Sequence, residues 1–333
     1  ADSDTVRAVA AATALGFARS TGDWRDVLHD PAVDVVDICT PNYLHREMAL
    51  AAIAAGKHVY CEKPLANTAQ EAREIADAAC AAGVVHAIGF NYSCNPLLQV
   101  ARAMVAAGEL GEVIGLRGCY LEDYMSDPAL PWSWRCDRQL AGAGALADLG
   151  SHLVNAAHLL LGPIRRVNGN LQTVHRERLD AAGIARRVEN EDLAQVLVEF
   201  ANGVPGTFEI SRVATGYKCG LQIAVFGSRG TLEFDQERMN ELRYYDHGDR
   251  SGRRGFRTIL TGPEHPDYQA FCPAPGHGLG YNDLKVIEVR NVIRSIASGG
   301  PGAPDFVEGW RVQRVMEAIE ESNASRHWVE VGA

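Results

Sequence analysis

No stretch of this sequence reaches the roughly 18 consecutive apolar residues that a membrane span requires, and the first residues are acidic and polar, unlike a secretory leader. A surplus of positive charge is missing as well. Lys and Arg number 32 against 42 Asp and Glu, and the net charge of -10 repels a phosphate backbone. No nucleic acid and no membrane are therefore expected as partners. The eight cysteines, at positions 39, 61, 80, 94, 119, 136, 219 and 272, include no C-x-x-C pair, and no His/Cys cluster has zinc-ligand spacing, so no metal is expected. A chain this long needs no staples. The expectation is reduced thiols in a cytoplasmic protein, most of them acting as small buried hydrophobes. Repeats and low-complexity tracts are absent, and 47% hydrophobic with 22% charged residues excludes a disordered, collagen-like or coiled-coil chain.

What is present points to about two domains, at about 150 residues each. Asp2-Ser3 reads as the N-cap of an Ala-rich helix ending at Gly16, and a short helix follows Asp23. Val35-Val36-Asp37-Ile38-Cys39 reads as a buried strand stopped by Thr40-Pro41. A helix over 43–55, a strand over 58–61 ended by Glu62-Lys63-Pro64, a helix over 68–82 and a strand over 84–89 follow. This alternation predicts right-handed crossovers and a parallel sheet with ligands at its strand ends.

From about residue 112 the pattern changes. Runs over 113–120, 188–200, 204–213, 221–226 and 231–234 read as strands, joined by turns such as Asn202-Gly203 and Ser228-Arg229-Gly230. A helix over 147–161 interrupts them, helices over 283–298 and 305–323 close the chain, and 246–278 reads as a long surface loop. The expected fold class is α/β: a Rossmann-type parallel-sheet domain over 1–112, then an α+β domain with an open, mostly antiparallel sheet over 113–333. The C-terminal helix is free to pack back on the first domain. A dinucleotide-binding unit opens with a strand, a Gly-rich turn and a helix, and that opening is missing here. Asp2 stands where the second strand of such a unit ends, so about 30 residues are expected upstream in the parent protein.

Few residues are placed for chemistry. Lys63 ends a strand at the ligand-binding edge, and Pro64 restricts its backbone; the plainer alternative is a surface ion pair. Asp148 and His152 are four apart on one helix and differ by about 40° around its axis, so the carboxylate can orient the imidazole and tune it as a base. A surface ion pair or a capping Asp is the alternative. His158 falls on nearly the opposite face, which argues against a metal held by both histidines. Thr40-Pro41-Asn42-Tyr43-Leu44-His45 begins a helix at a strand end, a place for phosphate or ribose, or simply an N-cap by Asn42. Trp132-Ser133-Trp134-Arg135 can stack on a flat ring or clamp an anion, or else pack as core and rim.

The runs DVVDICTPNYLHREMALAAIAAGKHVYCEKPLA, GFNYSCNPLLQVARAMVAAGELGEVIGLRGCY and WSWRCDRQLAGAGALADLGSHLVNAAHLLLG resemble, in that order and over essentially the whole chain, the glucose-fructose oxidoreductase and inositol dehydrogenase (Gfo/Idh/MocA) family in its sugar-dehydrogenase branch. The resemblance implies a Rossmann domain for a nicotinamide cofactor, oxidation of one hydroxyl of a cyclic sugar or polyol, and a homo-oligomer, dimer or tetramer, formed through the exposed sheet face. It further implies that Lys63, Asp148 and His152 are the catalytic residues. His152 would be the base, Lys63 would bind the developing alkoxide and Asp148 would orient the site. Thr40, Asn42, His45, Glu62, Lys63 and Asn91 match positions near the cofactor, and Trp134 and Arg135 match a pair at its nicotinamide end. Asp2 matches the ribose-binding acid, which favours NAD over NADP.

One departure bears on the substrate. Where inositol dehydrogenases carry an Asp three residues after the catalytic His, this chain has Asn155, which turns the expectation from inositol toward a sugar or anhydrosugar. Tyr120, Glu122, Asp123 and Tyr281 are candidates, with Asn155, for reading substrate hydroxyls. Two other classes stay open: a non-redox enzyme that retains its NAD and performs hydrolysis or elimination, and a binding protein without turnover.

Overall fold

The computed structural model describes residues 1–302 and 304–332. The chain begins with two helices, α1 (Thr5–Leu15) and α2 (Arg25–His29). There follow β1 (Val35–Ile38), α3 (His45–Ala54), β2 (His58–Cys61), α4 (Ala69–Ala82) and β3 (His86–Ile88), and the three strands form a parallel sheet in the order β1-β2-β3. Local chemistry explains the boundaries. Thr68 accepts a hydrogen bond from the Glu71 amide to start α4, and Gly83 ends it in the left-handed region. Asp4, not Asp2 or Ser3, caps α1: its carboxylate accepts from the Val6 and Arg7 amides, while Asp2 accepts from the Asp4 amide.

After α5 (Pro96–Ala106) and β4 (Val113–Leu121), the short α6 (Arg138–Ala141) leads to a π-helical turn, Leu146–Gly150, that runs into α7 (Ser151–Leu161). Then come β5 (Ile164–Gln172), the small hairpin β6 (Glu177–Leu179) and β7 (Ala185–Arg187), β8 (Leu193–Phe200), β9 (Pro205–Ser211), β10 (Gly220–Gly227), β11 (Gly230–Asp235), β12 (Glu241–Asp246) and β13 (Arg257–Leu260). Helices α8 (Tyr281–Ser298) and α9 (Phe306–Ser325) and the short β14 (Val329–Glu330) end the chain. The second sheet has nine strands in the order β13-β12-β11-β10-β4-β9-β8-β5-β14, antiparallel throughout except for the β4–β9 pair.

Several expectations are corrected. The stretch 246–278 is not one surface loop: β13 pairs with β12, and Tyr268, Cys272 and Leu279 form a small core of their own. The 188–200 strand starts only at Leu193, because Asn190, Glu191 and Asp192 turn buried polar side chains toward neighbouring backbone groups. All eight cysteines are free thiols, but only Cys61, Cys94, Cys136 and Cys272 are buried; Cys39 and Cys80 are exposed.

One hydrophobic core runs through both sheets. It joins Ile38, Val59 and Ile88 of the first to Leu116, Val196 and Ile223 of the second, with Leu153 and Val154 of α7 between them. Helix α9 ties the halves together. The Ala69 amide donates to Glu317, and Gly309 leaves room for Ile88 and Leu65, whose atoms would lie 2.8 and 3.1 Å from a Cβ there. Among the described residues, no helix is long and apolar enough to cross a membrane.

Where the start of β8 adjoins the end of β9 lies a fully buried ion pair, Arg212 Nε to Asp192 Oδ1 at 2.9 Å. The other Asp192 oxygen accepts the Val174 and His175 amides at 2.7 and 3.0 Å. Asp192→Ala strands a buried guanidinium, so urea unfolding should show a loss of about 3–5 kcal/mol. A loss under about 1 kcal/mol, the value typical of an exposed pair, would contradict this account.

Candidate active site

Three segments converge where the strands of the parallel sheet end. β2 delivers Glu62-Lys63-Pro64, β3 delivers Gly89 to Asn91, and the π turn before α7 delivers Asp148. Lys63 crosses from one sheet's territory to the other: its Nζ donates to Asp148 Oδ1 at 2.6 Å and to the Asp148 carbonyl at 2.8 Å. The other carboxylate oxygen accepts the Tyr124 hydroxyl at 2.6 Å. Burial alone would raise the Asp148 pKa, but the Lys63 charge and hydrogen bond, the Tyr124 hydroxyl and the nearby Arg135 outweigh it and hold the carboxyl well below its usual range.

His152 is buried against three aromatic rings, with centroids at 4.6 Å for Tyr92, 5.7 Å for Phe90 and 6.1 Å for Tyr120. Its Nδ1 has no partner among the described residues. Burial pushes its pKa well below the ordinary imidazole value, and the charges of Lys63 and Lys285 add to this against the opposing Asp148. The expectation that Asp148 orients His152 directly is corrected here. Both Asp148 oxygens are taken, by Lys63 and Tyr124, and no hydrogen bond joins carboxylate to imidazole. The π turn, which breaks the regular four-residue stacking, is the local reason.

The other expected site residues divide by surroundings. Glu122 is half-buried beside the pair; burial raises its pKa, the Asp148 charge adds to this, and Tyr120 and Lys63 oppose it. Tyr120 is buried, with its hydroxyl 2.8 Å from that of Tyr92. The exposed Tyr281 meets the Tyr92 ring edge-on at 6.2 Å. Asn91 lies buried with Nδ2 unpartnered. Glu62 accepts from Lys285 at 3.2 Å.

Thr40, Asn42 and His45 are held by protein groups. Both His45 nitrogens lie 2.8 Å from carbonyls, those of Pro64 and Thr40, and Asn42 does not cap a helix but donates to the Ala141 carbonyl at 3.0 Å. Thr40 donates through its hydroxyl to Met48 sulfur at 3.6 Å. The Arg135 guanidinium stacks on Trp134 at 4.5 Å, and Trp132 packs under Arg186 at the rim. Asn155 has both amide ends engaged, accepting from Ser93 and donating to Glu308 at 3.1 Å. Asp123 is spent on Lys218 at 2.6 Å at the surface. Asp2, at the first helix, pairs with Arg7 at 3.2 Å.

Sequence reasoning missed Tyr124, Glu191 and Lys285. Tyr124 directly follows Glu122 and Asp123. Lys285 is four residues beyond Tyr281 and therefore on the same face of α8, a spacing that could have drawn notice. Glu191 carries no local signal. Its carboxylate accepts the Gly144 and Leu146 amides, at 2.8 Å each, and so caps the helical stretch that bears Asp148 and His152.

Residues 1–90 match the oxidoreductase family model for an NAD-binding Rossmann fold, and residues 98–233 match the GFO/IDH/MocA C-terminal domain. The chain is 39% identical to levoglucosan dehydrogenase of Pseudarthrobacter phenanthrenivorans over 344 aligned residues, covering 99% of this chain and 88% of that one. It is 35% identical to D-glucoside 3-dehydrogenase of Escherichia coli over 176 residues, 51% of this chain and 48% of that one. The structure of levoglucosan dehydrogenase in complex with NADH and levoglucosan superposes with a TM-score of 0.97 at 39% identity, over all of this chain and 89% of that one. An inositol dehydrogenase homolog complexed with NAD+ from Azotobacter vinelandii gives 0.84 at 27% identity, over 99% of this chain and 88% of that one. The chain belongs to the GFO/IDH/MocA family of oxidoreductases and carries its NAD-binding Rossmann fold.

Proposed function

We propose that the protein is an NAD-dependent dehydrogenase that oxidises one hydroxyl of a cyclic sugar, anhydrosugar or polyol to a ketone. The observation that carries this reading is the bond from Lys63, at a strand end of the parallel sheet, to Asp148, on the turn that runs directly into the helix bearing the buried His152. The levoglucosan and glucoside dehydrogenases among its relatives support the substrate class.

The residues present fit a nicotinamide cofactor. The strand ends bring together Thr40, Glu62 and Asn91, and the buried Asn91 amide and His152 ring each offer an unpartnered polar atom. When bound, NAD supplies the acceptor for a hydride leaving the substrate carbon. The protein's part is proton and charge management. His152, kept neutral by burial and by the neighbouring ammonium groups, takes the hydroxyl proton. Lys63 donates to the oxygen as negative charge develops on it. Asp148 holds that ammonium in place, and Tyr124 fixes Asp148. Tyr120, Glu122 and Tyr281 stand near enough to shape the pocket, while Asn155, with both ends engaged, acts through the packing of α7 against α9.

The first test is NADH formation against monosaccharides, anhydrosugars, inositols and sugar acids, with product analysis to separate oxidation from hydrolysis or elimination. With the accepted sugar, Lys63→Ala and His152→Ala should each lower kcat by about 100- to 10,000-fold while circular dichroism stays native. Near-normal turnover in either would end the assignment. Because the His152 pKa is depressed, the neutral base persists as pH falls below the ordinary imidazole value of about 6.5. The acid limb of kcat/KM should therefore lie below that pH, and a limb at or above it would contradict a neutral buried base. Asp2→Ala should relax the preference for NAD over NADP, since it removes a carboxylate and frees Arg7 for a 2′-phosphate. An unchanged preference would mean that Asp2 does not read the ribose.

A further inference from the structure

Lysine is scarce in this chain: only four of its 32 basic residues, at 57, 63, 218 and 285, are lysines. Lys57 closes a turn by donating to the Asp30 and Val33 carbonyls, and Lys218 makes a surface pair with Asp123. The other two reach one region from different elements: Lys63 bonds Asp148 on the turn before the His152 helix, and Lys285 lies one turn beyond Tyr281, whose ring meets Tyr92, the ring packed on His152 at 4.6 Å.

Lys285 projects from α8 toward the end of β2. Its Nζ lies 3.2 Å from Glu62 Oε1 and 3.3 Å from Glu288 Oε2. Glu62 passes the contact onward, since its second oxygen accepts the Lys63 amide at 3.3 Å. Glu288 is buried; Oε2 also accepts the Tyr60 hydroxyl at 2.6 Å, and Oε1 has no partner among the described residues. Asp37 of β1, which accepts from the Cys39 thiol at 3.2 Å, brings a third carboxylate to the cluster. The packing is close. A Cβ on Gly89 would sit 3.2 Å from both Glu62 Oε2 and the Tyr60 hydroxyl, so the third strand end passes this cluster with no room for a side chain.

We propose that Lys285 is a positioning residue of the hydride-transfer site: it fixes Glu62, and with it the backbone that aims Lys63, and it sets a second positive charge before His152. This rests on the roles given above to Lys63 and His152. A residue that merely pins α8 to the sheet would need its aliphatic stem and a hydrogen bond. A positioning charge must change how the imidazole titrates.

The direction follows from the surrounding groups. Around Lys285 are Glu62 just after β2, Asp37 and Cys39 at the end of β1, Cys94 before α5, His152 of α7, and Tyr281 and Glu288 on its own helix, with Tyr60 bonded to Glu288 behind them. Carboxylates dominate this set, so loss of the ammonium leaves a net negative neighbourhood in which His152 protonates more readily.

The test is an NMR titration of the His152 ring in the full chain, with the signal assigned by its loss in His152→Asn. In Lys285→Met, which keeps the stem and removes the charge, the His152 midpoint should rise by about one pH unit; in Lys285→Arg it should return toward the native value. With an accepted sugar, Lys285→Met should lower kcat about 10- to 100-fold, leave KM for the sugar within about twofold, and shift the acid limb upward. An unchanged midpoint in a folded Lys285→Met protein overturns the proposal. Should that variant fail to fold, Lys285→Gln, which retains a donor for Glu62, carries the same test. The ring titration needs no turnover, so it decides on Lys285 even if no sugar is oxidised, a result that would count against the dehydrogenase reading alone.

Discussion

The bond between Lys63 and Asp148 is the constraint around which the molecule is arranged. The two residues are 85 positions apart, one at a strand end of the parallel sheet and the other on a turn that leads into a helix packed beneath the antiparallel sheet. Two contacts from one ammonium, to a carboxylate oxygen and to the same residue's carbonyl, fix position as well as charge. Neither half is comfortable alone. A carboxylate at this depth needs compensation, and Lys63 and Tyr124 provide it from opposite sides. The core that runs unbroken between the sheets keeps the two halves in register, and α9 braces them from behind.

The turn that carries Asp148 is shaped by a segment with no chemistry of its own. Asn190, Glu191 and Asp192 are consecutive and buried, and each serves a different neighbour. Asn190 donates to the Arg135 carbonyl at 2.9 Å, Glu191 caps the helical stretch that bears Asp148 and His152, and Asp192 pairs with Arg212. The fit is tight at Gly144, where a Cβ would lie 2.0 Å from the Glu191 carbonyl oxygen, so only glycine allows the two segments to touch. Burial raises the Glu191 pKa, while the amides it accepts favour its charged form at the positive end of the helix. The position of this helix therefore depends on side chains about 40 residues downstream, as it does on Lys63 far upstream.

This explains what could be read from the sequence. The βαβ alternation and the strand ends before Thr40 and Glu62 are local patterns: β-branched runs, proline stops and Ala-rich amphipathic helices announce themselves within a window of a dozen residues. Asn202-Gly203 and Ser228-Arg229-Gly230 likewise mark real hairpins of the second sheet. What escaped is set by distant partners. The strand expected from 188 stops short because buried amides and ion pairs recruit residues 190–192, and β13 exists because β12 offers it an edge. Asp148 and His152 looked like a pair on an ideal helix, yet the π turn and the demands of Lys63 and Tyr124 divert the carboxylate. Helical spacing gives direction, but it does not show which partner wins.

That diversion has a chemical consequence. In the reaction proposed above, an ammonium and an imidazole that share one substrate oxygen must differ in protonation: the first has to donate while the second accepts. A carboxylate placed between them would favour the charged form of both. Here Asp148 spends one oxygen and its carbonyl on Lys63 and the other oxygen on Tyr124, and nothing remains for His152. The imidazole is left among Phe90, Tyr92 and Tyr120, where desolvation disfavours its cation and two lysines disfavour it further. The unpartnered Nδ1 is the cost of that arrangement, since a polar atom without a hydrogen bond destabilises the folded chain by about 1–3 kcal/mol.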